Sequence, residues 1–331
     1  MKFRFKMLSA ISVFILISCW FTTHAQSLRI AFGSCNHEYD PQDYWKTIKA
    51  DKPNVWLWLG DNIYGDAKDV ETLKAKYAKQ LAATEYQDFI ASTKVIGTWD
   101  DHDYGINDGN KYYPLKKQSQ QLALDFLGEP QGTKRRKQEG IYQAYDYSVG
   151  NKSVKVLLLD VRYNQDSVYR DAKRVYHPTQ GDILGKKQWK WLEKQLKHSK
   201  ADATVIASGI QIAINSPFES WYNFPNSQKR LATVLAKYKA KGVLFLSGDR
   251  HSSEISRVRD FDLGYPVYEF TSSGLTHAEP RSANVPNPNR IGNIMVEKSY
   301  GVLDFKVQND KLSVSLLVKD IAGKVVNMLE Y

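Results

Sequence analysis

Carboxylate, imidazole, thiol and phenol side chains recur in this sequence at one kind of place, directly after a short apolar run. Residues 55–59 (VWLWL) lead into Gly60-Asp61-Asn62-Ile63-Tyr64-Gly65-Asp66, and residues 94–98 into Trp99-Asp100-Asp101-His102-Asp103. Residues 28–32 lead into Gly33-Ser34-Cys35-Asn36, and residues 243–246 into Ser247-Gly248-Asp249-Arg250-His251. Two further runs, 154–159 and 203–207, end in Asp160-Val161-Arg162 and Ser208-Gly209-Ile210-Gln211. A turn calls for Gly, Asn or Asp; it does not call for two carboxylates and a phenol. Gathered in one place, Cys35, Asp61, Tyr64, Asp100, Asp101, His102, Asp103, Asn107, Asp249 and His251 would raise one another's pKa values unless a cation intervened. Residue type alone therefore points to metal.

Ligand chemistry narrows the choice. Asp and Asn oxygens suit hard ions such as calcium, magnesium or manganese. Thiolate and imidazole suit transition metals, and a phenolate favours ferric iron. Asp249 and His251 can face one site from a single strand end, as can Asp61 and Tyr64 from a single turn, so two metal types side by side are expected. Paired metals commonly hydrolyse phosphoesters. Arg162, just beyond a strand end, is placed either to grip phosphate oxygens or to pair with Asp160 or another carboxylate.

The elements that must position these residues alternate in type. The six apolar runs are rich in Val, Ile, Leu and aromatics, as strands covered on both faces are. Helical spacing marks 40–50, 70–83, 186–197 and 226–241, the last stopped by Gly242. Alternating strands and helices imply an α/β architecture. Residues 264–272, 301–308 and 311–318 alternate apolar with polar, with Asn309-Asp310 as a hairpin turn, and read as antiparallel strands added to the same body. In such sheets ligands bind beyond the carboxyl ends of the strands, so all six polar clusters should meet at one edge.

The first residues, MKFRFKMLSAISVFILISCWFTTHAQ, have a basic start, an apolar stretch at 7–21 and a cleavage site ending at Ala25. They read as a secretory signal over 1–25, since the stretch is shorter than a membrane span of about 20 residues. Leu16-Ile17-Ser18-Cys19 also matches a lipobox, which would place the signal at 1–18 and a lipid on Cys19. Export to the periplasm or the exterior is expected, with membrane contact only through a lipidated Cys19. The chain has two cysteines, so Cys35 has no internal partner after processing. The net charge of +10 is mild and spread out; Lys134-Arg135-Arg136-Lys137 is its densest run and reads as a solvated loop rather than a nucleic-acid site.

These stretches resemble the PhoD-like phosphatases, also called alkaline phosphatase D, a branch of the metallophosphoesterase superfamily. The similar segments are FGSCN at 32–36, GDNIYGD at 60–66, TWDDHDYGIND at 98–108, LLLDVR at 157–162, QWKWLEKQL at 188–196 and SGDRHSSE at 247–254. They run in family order over nearly the whole chain after the signal. The resemblance implies a four-layer α-β-β-α sandwich with mixed sheets, in one domain over 26–331. It implies iron, as Fe3+, with calcium, or other divalent metals in their place. Cys35, Asp61, Tyr64 and His251 would form the iron end, with Asp61 bridging to calcium. Asp101 would take the metal-binding Asn place of the superfamily's third motif, and His102 the place of the His that binds phosphate or protonates the leaving group. Asn107 and Asp249 would add oxygen ligands on the calcium side, with Asp100 and Arg162 beside His102 in catalysis. The second motif often carries Glu after its Tyr, where this chain has Gly65-Asp66. The β-domain that longer members carry before the first motif is expected to be absent; no equivalent is identified of the C-terminal elements that cover the site in longer members, so a more open site is expected.

The function expected is an exported metal-dependent phosphoesterase that acts on phosphate mono- or diesters with metal-activated water. Its substrate would be a small-molecule, lipid or polymer phosphate ester, with no specific nucleic-acid partner and a monomeric state. The alternative is a metal-loaded protein that binds an anionic ligand without turnover. His37, His177, His198 and His277 have no assigned role. The Trp221-Tyr222-Asn223-Phe224 run reads mainly as packing, and 276–290 is long enough for a lid.

Overall fold

The computed structural model describes residues 26–215 and 218–331. Residues 1–25, read above as a signal and including Cys19, lie outside the described residues. No helix among the described residues is long and apolar enough to cross a membrane.

Three parallel strands come first among the described residues: β1 (Ser27–Gly33), β2 (Val55–Leu59) and β3 (Lys94–Thr98). After them come β4 (Gln143–Val149) and β5 (Lys152–Leu158), then the two-residue strands β6 (Tyr169–Arg170) and β7 (Tyr176–His177). The next group is β8 (Ala203–Ser208), β9 (Val243–Ser247), β10 (Ser253–Val258) and β11 (Val267–Thr271). Last are β12 (Arg290–Met295), β13 (Ser299–Gln308), β14 (Lys311–Asp320) and β15 (Val325–Glu330). They build two mixed sheets, in the orders β15-β14-β13-β1-β2-β3 and β12-β10-β11-β9-β8-β5-β4, and a separate two-stranded sheet of β6 and β7.

Alternation along each strand divides the core in three. Ile30, Phe32, Leu57 and Leu59 of one sheet meet Val156, Leu158, Val205, Leu244 and Leu246 of the other. Phe32 contacts Phe270 edge-on at 4.8 Å across that interface. The intervening residues face outward. Ala31, Trp56 and Trp58 pack under α1 (Tyr44–Ala50), α2 (Val70–Leu81), α3 (Thr84–Ile90) and, beyond the short α4 (Asp101–Tyr104), α5 (Lys116–Phe126). On the other side Leu157, Ile206 and Phe245 pack with Trp189 and Leu192 of α7 (Gly185–Lys197) and Leu231 and Leu235 of α8 (Pro225–Lys237), the four-residue α6 (Lys134–Lys137) lying between α5 and β4 in sequence. The protein is thus a four-layer α-β-β-α sandwich, and period-two alternation in the buried strands is what lets each sheet bury both faces.

Several elements depart from expectation. The segment 264–272 does not join the other late strands. Its β11 pairs parallel with β9 and antiparallel with β10, in the second sheet, whereas β13 and β14 extend the first beside β1. The turn between β13 and β14 is the expected one, with Asn309 at φ 50° and Asp310 at φ 61°. The helix read over 226–241 ends at Lys237, before Gly242, and Lys239 then turns left-handed at φ 50°. The basic run at 134–137 is helix α6, not a solvated loop. Arg135 is buried and donates to the carbonyls of Gly97 (2.9 Å) and Ile141 (2.6 Å).

Candidate metal centre

Both sheets deliver their parallel strands' carboxyl ends to one rim. Cys35, Asp61, Tyr64 and the Asp100–His102 stretch follow β1, β2 and β3; Arg162, Asp249 and His251 follow β5 and β9. There the candidate ligand atoms interlock in three groups, each within 4.8 Å: Cys35, Asp61 and His251; Asp61, Asp101 and His102; and Asp61, Asp100, Asp101 and Asp249. Asp61 is common to all three, as a ligand shared by two ions must be.

The backbone is bent to make this possible. Cys35 (φ 59°), Asp61 (φ 48°), Asp249 (φ 66°) and His251 (φ 49°) all lie in the left-handed region, at a cost of about 1–3 kcal/mol each. Asp103, grouped by type with the candidate ligands, acts instead as the frame. Its carboxylate accepts from the backbone N–H of Asp100 (2.7 Å) and Asp61 (3.1 Å) and from Asn62 Nδ2 (2.5 Å), tying the loop after β2 to the loop after β3. Gly209 lies against Asp100, so a Cβ there would run into that carboxylate.

Charge in the cluster is poorly balanced by protein alone. Asp61 and Asp100 are pushed well above the usual carboxylate range, first by burial and then by neighbouring charges, with Arg162 partly offsetting the rise at Asp100. Burial, with help from Asp249, pushes the Cys35 thiol up to about 11. Burial also raises Asp101, but Arg162 and His102 outweigh it and hold that carboxyl below its usual value. Asp100 Oδ2 and Asp101 Oδ1 are buried with no hydrogen-bond partner among the described residues. Orphaned, buried, clustered carboxylate oxygens beside a thiol and an imidazole fit a cation. The cluster is a metal-binding one.

Arg162 resolves toward a carboxylate, though not Asp160. It is fully buried, with Nε 2.6 Å from Asp100 Oδ1 and Nη1 2.8 Å from Glu219 Oε2, while Asp160 caps the turn by accepting the Arg162 N–H at 2.9 Å. Tyr64 stands with its hydroxyl 3.1 Å from His251 Nε2 and 2.8 Å from His277 Nε2. His102 presents Nδ1 to both oxygens of Asp66, at 2.8 and 2.9 Å, and its backbone N–H to Asp61 at 3.3 Å. Burial pulls its pKa down, yet the Asp66 hydrogen bond and the charges of Asp61 and Asp101 lift it to about 10. Asn107 is exposed at the cavity wall and gives its backbone N–H to Asp66 at 3.1 Å.

Four participants carried no assigned role in the sequence. Asp66 sits inside GDNIYGD, where only its departure from the family pattern marks it. His277 and Ser273 follow β11, and Ser273 Oγ lies 3.0 Å from Cys35 Sγ. Glu219 comes from a loop with no motif, and nothing local signals its pairing with Arg162. Trp221 and Phe224 are buried packing residues, as read.

A sandwich of two mixed sheets flanked by helices, with a shared-carboxylate metal cluster at the strand ends, defines a metallophosphatase-type fold. The chain is similar to a dimetal phosphatase from Danio rerio (14% identity, TM-score 0.54, 92% of this chain and 98% of that one) and to GAP50, described as the anchor in the inner membrane complex of Plasmodium (14%, 0.60, 92% and 88%). It is also similar to the solved structure of PhoD, at 18% identity and TM-score 0.72 over 92% of this chain and 72% of that one. The profile of the PhoD-like phosphatases matches residues 30–310, and the chain belongs to that family. Alkaline phosphatase D of Bacillus subtilis (strain 168) is 24% identical over 301 residues, which is 76% of this chain and 49% of the relative. The chain thus spans about half the length of the curated relative it matches.

Proposed function

We propose that the protein is a metal-dependent phosphoesterase acting on phosphate mono- or diesters. The observation that carries this reading is Asp61, common to every candidate metal group at the rim where both sheets end. We assign the Cys35, Asp61, Tyr64 and His251 end to ferric iron, because thiolate, phenolate and imidazole suit it. The Asp61, Asp100, Asp101 and Asp249 group, all carboxylate, suits calcium, with Asn107 as a candidate oxygen donor beside it. When bound, such ions supply Lewis acidity toward a water and a phosphoryl oxygen.

The chain's own residues do the rest. Asp66 holds Nδ1 of His102, which fixes the ring and leaves Nε2 as the nitrogen able to give a proton to the departing oxygen. Arg162 and Glu219 keep Asp100 in place. Export through the signal at 1–25 belongs to the same proposal, since a lone thiol held as a metal ligand tolerates an oxidising compartment.

Turnover of aryl phosphate monoesters and diesters, before and after chelation, tests the reading. Hydrolysis that disappears with chelator and in Asp61→Ala supports it. An Asp61→Ala protein that still hydrolyses esters overturns it, and protein that binds metal and phosphate yet turns over no ester is a binding protein instead.

A further inference from the structure

Outside the metal cluster the site continues into a basic annex. The cavity of ≈ 250 Å³ that holds Asp101, His102, Asp249 and His251 shares Arg170, Arg174 and Glu279 with a second cavity of ≈ 530 Å³. That outer cavity adds Lys173 and Arg281. Its one carboxylate, Glu279, is taken up by Arg281 at 2.5 and 2.8 Å, and Arg170 is paired with Asp108 at 3.0 Å. Lys173 and Arg174 have no carboxylate partner among the described residues, so the annex keeps an unbalanced positive charge.

These cations are exposed, but the backbone that carries them is held in place. The β6–β7 hairpin that carries them is closed by Asp171, whose carboxylate accepts from Lys173 N (2.9 Å), Val175 N (3.0 Å) and His177 Nε2 (3.0 Å). Arg174 sits at φ 65°, the left-handed tip residue that turns the hairpin back. The hairpin is also fixed to the metal cluster. Arg170 and the Tyr176 hydroxyl both donate to Asp108, at 3.0 and 2.8 Å, and the Asp108 N–H donates to Asp101 Oδ2 at 2.6 Å. A candidate metal ligand and the basic hairpin are thereby joined through one residue. The tether holds the exposed cations of the hairpin at a fixed distance from the cluster, as a subsite beside a reacting centre requires.

Resting on the phosphoesterase reading above, we propose that the annex binds a second phosphate of the substrate, so that the preferred esters carry phosphate on both sides of the linker rather than at one end. Guanidinium forks and an ammonium converging on one cavity match phosphate oxygens. The second phosphate is either a terminal group or the next diester unit of a chain.

The test uses metal-loaded protein and α,ω-alkanediol bisphosphates of three to six carbons, each beside its monophosphate. Calorimetry should show the best-fitting bisphosphate binding about tenfold more tightly than its monophosphate, a margin that shrinks with added salt. The Lys173→Gln/Arg174→Gln protein should lose the margin while binding the monophosphate within about twofold of wild type. Capping the distal phosphate as its methyl diester separates the sources: retained binding marks a chain unit, lost binding a terminal phosphate. Equal binding of mono- and bisphosphates at every length overturns the proposal, as does an equal loss for both in the double variant. If no ester turns over, the phosphoesterase reading fails while the binding margin still decides the annex.

Discussion

Replacing Asp61 with asparagine should make the metal-free protein more stable and the metal-supplied protein less so. Asp61 is buried, with Oδ1 accepting from the His102 N–H at 3.3 Å and Oδ2 facing the Cys35 thiol at 3.4 Å. Burial first, and then the charges of Cys35 and Asp101, raise its pKa well above 3.8. The stability linked to such a group is fully present below about pH 3.8 and is lost as pH rises through the higher folded value. At pH 8 the chelated wild type therefore bears the cost of either burying this charge or keeping the carboxyl protonated, while asparagine keeps the shape and one acceptor without that cost. Relief of a buried, poorly paired charge is worth roughly 1–3 kcal/mol, and each kcal/mol moves Tm by about 2–4 °C in a domain of this size. With metal the order reverses. An ion at a hundred times its Kd adds about 2.7 kcal/mol to the folded state, and the variant lacks the ligand that every candidate group shares. Calorimetric melting of both proteins at pH 4 and pH 8, in chelator and in excess manganese, reads all four combinations. The two should converge at pH 4 in chelator and separate at pH 8. An Asp61→Asn protein less stable than wild type in chelator at pH 8, or one that gains as much from metal, refutes the reasoning.

Asp66→Asn should lower kcat by roughly 10–100-fold with a smaller change in KM, since a misheld general acid loses part of a contribution of about 10²–10⁴. Because Asp66 raises the His102 pKa, its loss should also move the alkaline limb of the rate profile to lower pH. Cys35→Ser should lose the transition metal and keep the fold, checked by elemental analysis and circular dichroism. With the thiol at about 11, metal uptake at that end should strengthen as pH rises in the wild type and flatten in the variant. Gly209→Ala should push Asp100 aside and weaken metal retention without unfolding the protein, read as faster loss of metal to a competing chelator.

The strands that build the site were plain in the sequence because each is buried on both faces and therefore apolar throughout. Trp56 and Trp58 face the helices while Leu57 faces the other sheet, and either face would have marked the run. Elements with weaker signals escaped. Helix α5 reads KKQSQQLALDF, mostly polar for its first two turns, and α3 is only seven residues long. Strands β12 and β15 lie at sheet edges, where alternation is loose. Assigning late strands to a sheet was beyond a local pattern, since β11 and β13 look alike in sequence yet pair with β9 and β1. The same limit applies in the site. Residues in long motifs were found, whereas Glu219 and His277 matter through partners 57 and 213 positions away. Type and spacing also grouped Asp103 with the candidate ligands, and only its four backbone and side-chain donors show it to be the frame.

Elemental analysis of protein purified without chelator, paired with aryl phosphate hydrolysis by the same sample, bears most directly on the rim of shared carboxylates. The account predicts about two tightly held metal ions per chain, one of them a transition metal, with activity that falls in step as they are removed. Protein that holds no metal and hydrolyses phosphate esters at full rate would contradict it.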